Sequence, residues 1–401
     1  MRLRFARETV GISPGKIAWR KFKRNKVGMT ALFFVLFVVF VAVMGSVVTP
    51  DQTPFANRQI LEIGTMKPGF RVKMLKVPFS HSVQEAGFLH TMIFGAQDRF
   101  LYIPLSSYTF SGDSLVAEIF AAGDEPSERK SFHINELVYG ADWKNTHHEG
   151  VLMTYSKSDQ PMFDMLKEKV EHERIEDITY YMGTDQYGRD MQSRLMIGSR
   201  VSLSVGFISV FISLLIGVAI GSMGGFYRGW VDDVVVWLIN VVWSVPTLLL
   251  VIAITFALGK GFWQVFIAVG LTMWVEVARV VRGQMLSIRE KEFAEAAVSL
   301  GFGNYRIIRR HLLPNVIGPV IVISAANFAS AILIEAGLSF LGLGVQPPVP
   351  SWGSMIKENY AFIILDAAYL ALLPGIAIML LVLSFMLIGN ALREALDVKG
   401  Q

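Results

Sequence analysis

The 401-residue chain contains no cysteine, which excludes a disulfide, a thiolate metal site and a cysteine nucleophile. It is also short of charge, because 17% of its residues are charged against roughly 25% in soluble globular domains. A phosphate-binding Gly-x-x-x-x-Gly-Lys-Ser/Thr loop is absent, since the Gly-Lys pairs that end at Lys16 and Lys260 are followed by Ile17 and Gly261. These absences argue against a single soluble domain and exclude ATP hydrolysis by such a loop.

Apolar residues make up 53% of the chain and are gathered into long runs that carry almost no charge. A helix needs about 20 consecutive apolar residues to cross the hydrocarbon core of a bilayer. This length predicts six transmembrane helices, at about 29–48, 201–222, 234–258, 261–278, 316–334 and 367–391. A further uncharged run, 336–356, is rich in proline and glycine and is predicted to be a loop packed against the membrane helices.

Basic residues lie almost entirely on one side of these predicted spans. Nine are found up to Lys26, before the first span, and seven lie in the 279–315 loop between the fourth and fifth spans. Because cytoplasmic loops are enriched in Lys and Arg, we expect the 1–28 tail, the 279–315 loop and the 393–401 tail to be cytoplasmic. The basic excess then reflects membrane topology, and no nucleic-acid binding is predicted.

The 49–182 segment, between the first two spans, has a different composition. From 51 to 177 it holds 19 acidic and 13 basic residues. Strand-forming stretches such as 99–108 and 114–120 precede a region of alternating charges at 156–176, which indicates a helix. We predict a soluble insert of α+β or β-rich fold that faces the extracytoplasmic side.

Histidines in this insert raise the question of a metal site. His147, His148 and Glu149 are consecutive, and His133 or His172 could add a further ligand. Adjacent residues seldom both point at one ion, so we interpret them as surface histidines and predict no metal site. Docking of a substrate-binding protein and a purely structural role are both open for the insert.

The 279–315 loop carries the most informative pattern. Residues 287–300 favour a helix that Gly301 would end as a C-terminal cap. Asn304 can begin a second short helix that we expect to stop at Pro314. The pattern predicts a helix–turn–helix on the cytoplasmic face, wedged between two spans where it cannot reach a DNA groove.

This loop resembles the signature of membrane subunits of ATP-binding cassette importers, in which Glu-Ala-Ala, a glycine and a later Leu-Pro recur. The residues that this resemblance assigns to ATPase coupling are Glu295, Ala296, Ala297, Gly301, Arg306, Leu313 and Pro314.

Two further stretches are similar to the C-type permease subunit of dipeptide and oligopeptide importers. One precedes the second predicted span, and the other follows the fifth. Their family-motif residues are Gly183, Thr184, Asp185, Gly188, Arg189, Asp190, Ser193, Arg194, Gln346, Pro347, Pro348, Ser351, Trp352 and Gly353. In relatives the Gly-Thr-Asp motif follows the first span closely, whereas here an insert of roughly 55–181 displaces it. Asn240 and Val277 also stand where many relatives carry Asp and Tyr.

The resemblance implies an all-α polytopic membrane protein with the fold of type I importer permeases, located in a bacterial-type inner membrane. It implies half of a translocation pathway for peptides, with a non-peptide solute such as a nickel chelate as the alternative. The implied partners are a second homologous permease, two ATPase subunits and an extracytoplasmic substrate-binding protein, in addition to membrane lipid. ATP and Mg²⁺ would bind the ATPase subunits, so this chain would hold no cofactor and would not be an enzyme.

Polar or kink-forming residues inside the predicted spans are the candidates for the pathway: Pro246, Glu276, Asn327 and Glu335. An ionisable group within a bilayer is costly and is usually functional or paired. Glu276 could pair with Arg279 or Arg282 instead, Asn327 could bond a neighbouring helix, and Glu335 could reach the interface.

A proton-coupled secondary transporter, with Glu276 and Glu335 as its relay, is the rival function. The absence of an inverted repeat argues against it, and so does the helix pair in the 279–315 loop. A membrane-anchored enzyme or sensor is weaker still, because 55–181 shows no catalytic constellation.

Overall fold

The computed structural model describes residues 14–79, 86–122, 127–140, 160–259 and 261–396. The contacts between residues divide the chain into two units. The helical unit comprises 1–40, 198–358 and 372–401, and the mixed unit comprises 41–197 and 359–371.

Helices dominate the described residues. Numbered in chain order, they are α1 (Pro14–Arg24), α2 (Lys26–Val48), α3 (Phe88–Phe94), α4 (Ile134–Tyr139), α5 (Gln160–Glu173), α6 (Met191–Tyr227), α7 (Gly229–Trp243), α8 (Thr247–Leu258), α9 (Phe262–Arg289), α10 (Glu292–Ser299), α11 (Asn304–Arg306), α12 (Leu313–Phe340), α13 (Trp352–Asn359) and α14 (Tyr369–Leu396). The strands are β1 (Phe70–Pro78), β2 (Phe100–Ser111), β3 (Ser114–Ile119), β4 (Arg129–His133) and β5 (Ile175–Tyr180).

Five helical stretches of the described chain are long and apolar enough to cross a membrane. They are α2, α6, α9, the Asn304–Phe340 stretch that contains α12, and α14. The pair α7 and α8 passes the same test only when taken together, and its two halves are bent by 90°. The described residues therefore hold five candidate spans, or six if this bent pair counts as one.

The predicted span over 234–258 is broken in the structure, next to the kink-forming residue Pro246. Helix α7 ends at Trp243, and α8 begins at Thr247, directly after Pro246. Proline has no backbone N–H, and its ring clashes with the carbonyl four residues earlier, so a continuous helix is disfavoured at this point. The residue before a proline is also pushed out of the helical conformation.

The expectation of a loop over 336–356 is correct only for its middle. Helix α12 continues to Phe340, and α13 begins at Trp352, so the non-helical part is 341–351. The three prolines lie inside that shorter segment, and Pro347 and Pro348 are joined by a cis peptide bond. Prolines exclude a helix only where they stand, which is why the flanking residues can remain helical.

The mixed unit is built on a five-stranded antiparallel sheet with the strand order β4-β3-β2-β1-β5. Apolar residues cover both of its faces because successive side chains of a strand point to opposite sides. In β1, Leu75 packs towards α4 and α5, while Val72 and Met74 pack with Ile60 and Ile63 on the other face. The sheet is thus the middle layer of three, with an apolar core on each side.

Candidate functional sites

The 292–314 hairpin contains the residues that the sequence assigned to ATPase coupling. Its first helix, α10, begins at Glu292, so the expected single helix over 287–300 is wrong. Ile288 is buried at the end of α9 and Ala294 is buried in α10, six positions apart. An unbroken helix with 3.6 residues per turn would place these two side chains on different faces, so the chain must break to bury both.

Gly301 ends α10 through a Schellman motif. Its N–H donates to the Val298 carbonyl at 2.9 Å, and the Phe302 N–H donates to the Ala297 carbonyl at 3.3 Å. Gly301 adopts a φ of 74°, which a residue with a Cβ adopts only with strain. Apart from its two chain neighbours, no atom of the described residues lies within 4 Å of the place where a Cβ would stand, so the requirement for glycine is conformational and not steric.

The second arm of the hairpin runs into the membrane helix without stopping. After α11, residues 307–312 form a π-helical turn that leads directly into α12, where Leu313 and Pro314 occupy the first turn. The expected stop at Pro314 is therefore wrong. A proline inside a continuous helix interrupts its regular hydrogen bonds, and the π-helical turn stands directly before Pro314.

The hairpin has one buried face and one exposed face. Ala294, Ala297, Ile307 and Leu312 pack with α9 in a continuous apolar cluster. The motif residues Glu295 and Ala296 lie on the opposite side of α10 and are exposed. The exposed face also carries apolar side chains: Phe293, Val298, Leu300 and Tyr305.

Aromatic contacts join the turn of the hairpin, at Phe302, to its second arm. The Phe302 and His311 rings are stacked, with their centroids 5.6 Å apart. The guanidinium of Arg306 lies 4.4 Å from the centre of the Phe302 ring. Arg306 therefore contacts the turn of its own hairpin.

The Gly-Thr-Asp motif lies in a compact arrangement that we call the stem, formed by residues 49–67 and 181–194. Asp185 is buried, and its carboxylate accepts a bond from the Arg189 Nε at 2.6 Å. The Arg194 Nε lies 3.5 Å from the same oxygen. The other oxygen accepts the backbone N–H groups of Tyr187 and Arg189, at 2.9 and 3.0 Å. Buried charges are tolerated when they are paired and hydrogen-bonded in this way.

Asp190 and Ser193 join the start of α6 to the chain that follows α2. The Asp190 carboxylate caps α6 by accepting the Ser193 N–H at 2.8 Å, and it also accepts the Ser193 hydroxyl. The Ser193 Oγ in turn accepts the Asp51 N–H at 3.1 Å. Burial raises the pKa of the Asp190 carboxyl, although the bonds from Ser193 oppose that change.

Thr184 and the two motif glycines join segment 181–194 of the stem to segment 49–67. The Thr184 Oγ1 accepts the Met66 N–H at 2.9 Å and donates to the Ile63 carbonyl. Gly183 and Gly188 have φ values of 76° and 70°. A Cβ at Gly183 would collide with the Met66 carbonyl oxygen, and one at Gly188 would collide with that of Ile60. Glycine is required at both positions for conformation and for space.

The third motif packs against the helices of the helical unit. Trp352 is buried, and a Cβ on Gly198 would lie 3.0 Å from its ring. A Cβ on Gly353 would lie 2.6 Å from the Ala336 carbonyl oxygen. The side-chain amide of Gln346 donates to the Gly344 carbonyl at 2.8 Å. These small residues let 341–353 lie directly against α6 and α12.

Glu335 belongs to the same packing. It is fully buried, and its Oε1 accepts the Ser339 hydroxyl at 2.6 Å. The Ser351 hydroxyl lies 3.2 Å from that of Ser339. The suggestion that Glu335 reaches the interface is therefore wrong, because its side chain is buried inside the protein and is bonded there by Ser339 of α12.

Glu276 lines a cavity of about 310 Å³ between α7, α8, α9 and α12. The polar residues on its wall are Glu276, Thr247, Thr272 and Ser330, and the remainder are apolar or aromatic, among them Trp243. Pro246 directly precedes α8 at this cavity, whereas Asn327 is buried elsewhere in α12. Sequence reasoning missed Thr272 and Ser330, although each is a polar residue inside an apolar run.

The suggested partners of Glu276 have other contacts. Arg282 forms a two-bond ion pair with Asp232, at 2.5 and 2.6 Å, so its assignment to Glu276 is wrong. The Arg279 guanidinium lies 3.2 Å from the centre of the Trp243 ring. Across the part of the chain that the structure covers, no ion pair within 4 Å involves Glu276.

The histidine-based metal site finds no support among the described residues. No group of three or more His, Asp or Glu side chains with metal-binding geometry occurs there. His147, His148 and Glu149 lie outside the described residues. His133 instead pairs with Asp113 at 3.2 Å.

Long apolar helices with a broken span, buried polar motifs and a hairpin between two spans define a multi-pass helical membrane protein. Residues 213–399 match the profile of the family described as binding-protein-dependent transport system inner membrane component. Residues 13–62 match that of the N-terminal transmembrane domain of oligopeptide transport permease C.

Two relatives and one solved structure illustrate the similarity. The dipeptide transport system permease protein DppC of Alkalihalophilus pseudofirmus is 41% identical over 220 residues, which cover 55% of this chain and 72% of that protein. The glutathione transport system permease protein GsiD of Pectobacterium atrosepticum is 38% identical over 220 residues, 55% and 73% of the two chains. A chain of the MetNI methionine transporter in an inward-facing conformation overlaps with a TM-score of 0.44 at 18% identity, covering 51% of this chain and 97% of its own.

The chain belongs to the family of inner-membrane permease components of binding-protein-dependent transport systems. It is a transport subunit and not an enzyme.

Proposed function

We propose that this chain is the membrane-spanning subunit of an ATP-binding cassette importer for solutes of the peptide class, and that it forms half of the translocation pathway. The observation that carries the proposal is the 292–314 hairpin. It is fixed to α9 by its buried face and presents Glu295, Ala296 and several apolar side chains to a partner. A folded hairpin with an exposed apolar face is typical of a docking surface.

The partners follow from the family and from what the chain lacks. Two ATPase subunits would supply the energy and bind ATP and Mg²⁺. A second, homologous permease would supply the other half of the pathway, and an extracytoplasmic substrate-binding protein would deliver the solute. This chain itself would bind no cofactor.

The same two helices connect the hairpin to the cavity. Helices α9 and α12 hold the two arms of the hairpin, and both contribute residues to the cavity wall, including Glu276 and Ser330. Closure of the ATPases would move the hairpin, and packed helices transmit such a displacement as rigid bodies. We expect this movement to change the opening of the cavity between α7, α8, α9 and α12.

The proposed orientation rests on the basic residues. The 1–28 and 393–401 tails and the 292–314 hairpin would be cytoplasmic, and the sheet of the mixed unit would be extracytoplasmic. The bent pair α7 and α8 would serve as the third span of a six-helix type I permease. This arrangement places the hairpin on the side of the ATPases and the sheet on the side of the binding protein.

The substrate class comes from the relatives, which are named as dipeptide and glutathione permeases. The polar groups of the cavity, Glu276, Thr247, Thr272 and Ser330, could bond the amide and charged groups of a short peptide. A nickel chelate is the alternative solute.

Purification of the tagged chain from membranes in a mild detergent tests this proposal. We expect a second permease and ATPase subunits to co-purify, with ATP hydrolysis in the eluate. An Ala296→Cys variant should form a cross-link to an ATPase subunit, whereas Glu168→Cys on α5 should not. A lone chain without ATPase in several detergents would contradict the proposal. Uptake assays with dipeptides, glutathione and nickel chelates would then separate the solute classes.

A further inference from the structure

Helix α3, in the mixed unit, has an unusual surface for a helix outside the membrane spans. Its sequence is FLHTMIF, with no acidic residue, lysine or arginine. Phe88, Leu89, Ile93 and Phe94 are 61, 67, 57 and 64% exposed. None of its residues is buried. An uncharged helix with four exposed large apolar side chains indicates a surface that is covered by something apolar.

The end of α3 is fixed next to the end of the first membrane helix. Ala96 donates its N–H to the Gln52 carbonyl at 2.8 Å. The side-chain amide of Gln52 donates to the Val47 carbonyl, in the last turn of α2, at 3.3 Å. Gln52 therefore bridges Val47 at the end of α2 and Ala96, two residues after the end of α3. The two helix ends are separated by about the length of one side chain.

Gly95 makes this attachment possible. It ends α3 with a φ of 81°, and a Cβ there would lie 2.8 Å from the Pro54 nitrogen and 2.9 Å from the Gln52 oxygen. The helix is thus held tightly against the backbone that leaves α2 and is not carried on a free loop. The position of α3 along the membrane normal, relative to the end of α2, is therefore set by the fold.

We propose that α3 lies in the surface of the lipid bilayer at the end of α2 and anchors the mixed unit to the membrane. A helix of 23 residues at 1.5 Å per residue spans the hydrocarbon core, so Val48 reaches its boundary. A helix attached within one side chain of that boundary has its apolar residues at the depth of the headgroups and upper acyl chains. Helices that bury an apolar face of Phe or Leu side chains at the boundary of headgroups and acyl chains bind membranes in this position. The exposed Val43 and Val48 near the end of α2 continue the same apolar surface.

The absence of cysteine makes a direct test simple. Ile93→Cys is labelled with an environment-sensitive fluorophore in the full chain, reconstituted into vesicles of phosphatidylethanolamine and phosphatidylglycerol. Phe37→Cys in α2 is the control inside the bilayer, and Glu168→Cys on α5 is the control in water. Quenching is measured with iodide on both sides of the membrane and with lipids that carry a nitroxide near the headgroup or near the acyl-chain end.

We expect the label at residue 93 to resist iodide several-fold more than the label at 168. We also expect it to be quenched most by the nitroxide near the headgroup, whereas the label at 37 should respond more to the deeper nitroxide. Iodide access equal to that at 168 would overturn the proposal. Protection from both quenchers would also overturn it, because a protein partner would then cover α3. Leu89→Cys, one turn earlier on the same face, repeats the measurement if the variant at 93 does not fold.

Discussion

The stem buries its charged motif residues, whereas the 292–314 hairpin exposes Glu295 and Ala296. In the stem, Asp185, Arg189 and Arg194 are almost completely buried and bonded to one another. In the hairpin, Glu295 and Ala296 are exposed, and Ala297, the third residue of the Glu-Ala-Ala sequence, is buried. A motif that is buried and bonded within the chain acts through folding, whereas an exposed motif on a folded support acts through a partner.

This comparison separates two kinds of functional loss. A change in the stem should lower the amount and stability of folded protein, and transport should fall with it. A change on the exposed face of the hairpin should lower transport and leave the fold intact. Substitutions in the stem, in the hairpin and in the membrane helices test this division.

Asp185→Asn should have the largest effect on stability. It removes a buried carboxylate that pairs with both Arg189 and Arg194, and breaking a buried ion pair costs about 3–5 kcal/mol. We expect a strong decrease in the midpoint of thermal unfolding in detergent and in the yield of monodisperse protein. Asp177→Asn is the matched control, because its pair with Lys73 is exposed and such pairs contribute about 0–1 kcal/mol. Equal stability of the two variants would show that the stem does not depend on this charge.

Glu295→Lys should lower transport far more than stability. The side chain is exposed in the first turn of α10, so reversing its charge costs about 0.3–1 kcal/mol through the helix dipole. We expect uptake to fall by about tenfold, within the usual range of coupling between sites. Uptake in vesicles is compared with membrane insertion and with Glu168→Lys, an exposed change on α5. If insertion and uptake fall in parallel, Glu295 has a folding role and the division between the two motifs fails.

The long spans and the end of α10 could be predicted from the sequence because their signals are local. An uncharged run of sufficient length indicates α2, α6 or α14, and a glycine after a helix-forming stretch indicates the cap at Gly301. The break at Pro246 also has a local signal, because a proline inside an apolar run disfavours a continuous helix. The break near Glu290 could be found only by comparing the helix face that is buried before it, at Ile288, with the face that is buried after it, at Ala294.

The contacts of the stem and of Glu335 could not be predicted because their partners are distant in sequence. Asp51 meets Ser193 across the entire insert, and Arg58 pairs with Asp98 in the inserted part. Glu335 accepts a bond from Ser339, which in turn contacts Ser351 on the other side of a proline-rich segment. The insert separates the Gly-Thr-Asp motif from the first span in sequence, but the motif still contacts residues 49–67, because β1 and β5 are neighbours and the inserted chain leaves and returns at one place.

Asn327→Leu should stabilise the chain and impair its function. Asn327 is fully buried, and within the described structure neither atom of its amide has a hydrogen-bond partner. A buried polar group without a partner costs about 1–3 kcal/mol, so an apolar side chain of similar size should raise the stability of the isolated subunit by about 1 kcal/mol. We expect transport to fall, because a polar group kept at such a cost in a membrane helix indicates a role in the assembled importer. Asn315→Leu, at an exposed site that bonds the His311 carbonyl, is the control. Unchanged transport with raised stability would remove Asn327 from the pathway candidates.

Asp190→Asn should have the smallest effect, and that effect should depend on pH. Burial raises the pKa of the Asp190 carboxyl above its ordinary value of 3.8, so the folded chain holds this proton more tightly than the unfolded chain. The wild-type protein therefore loses stability as the pH rises from about 4 through the raised pKa, and the loss is complete above it. Asparagine cannot titrate but still caps a helix well. The stability of the wild type minus that of the variant, measured by thermal unfolding in one detergent, should decrease over this interval. A difference that increases with pH would mean that the ionised carboxylate is the favoured form in the stem, and that Asp190 acts as Asp185 does, through a paired charge.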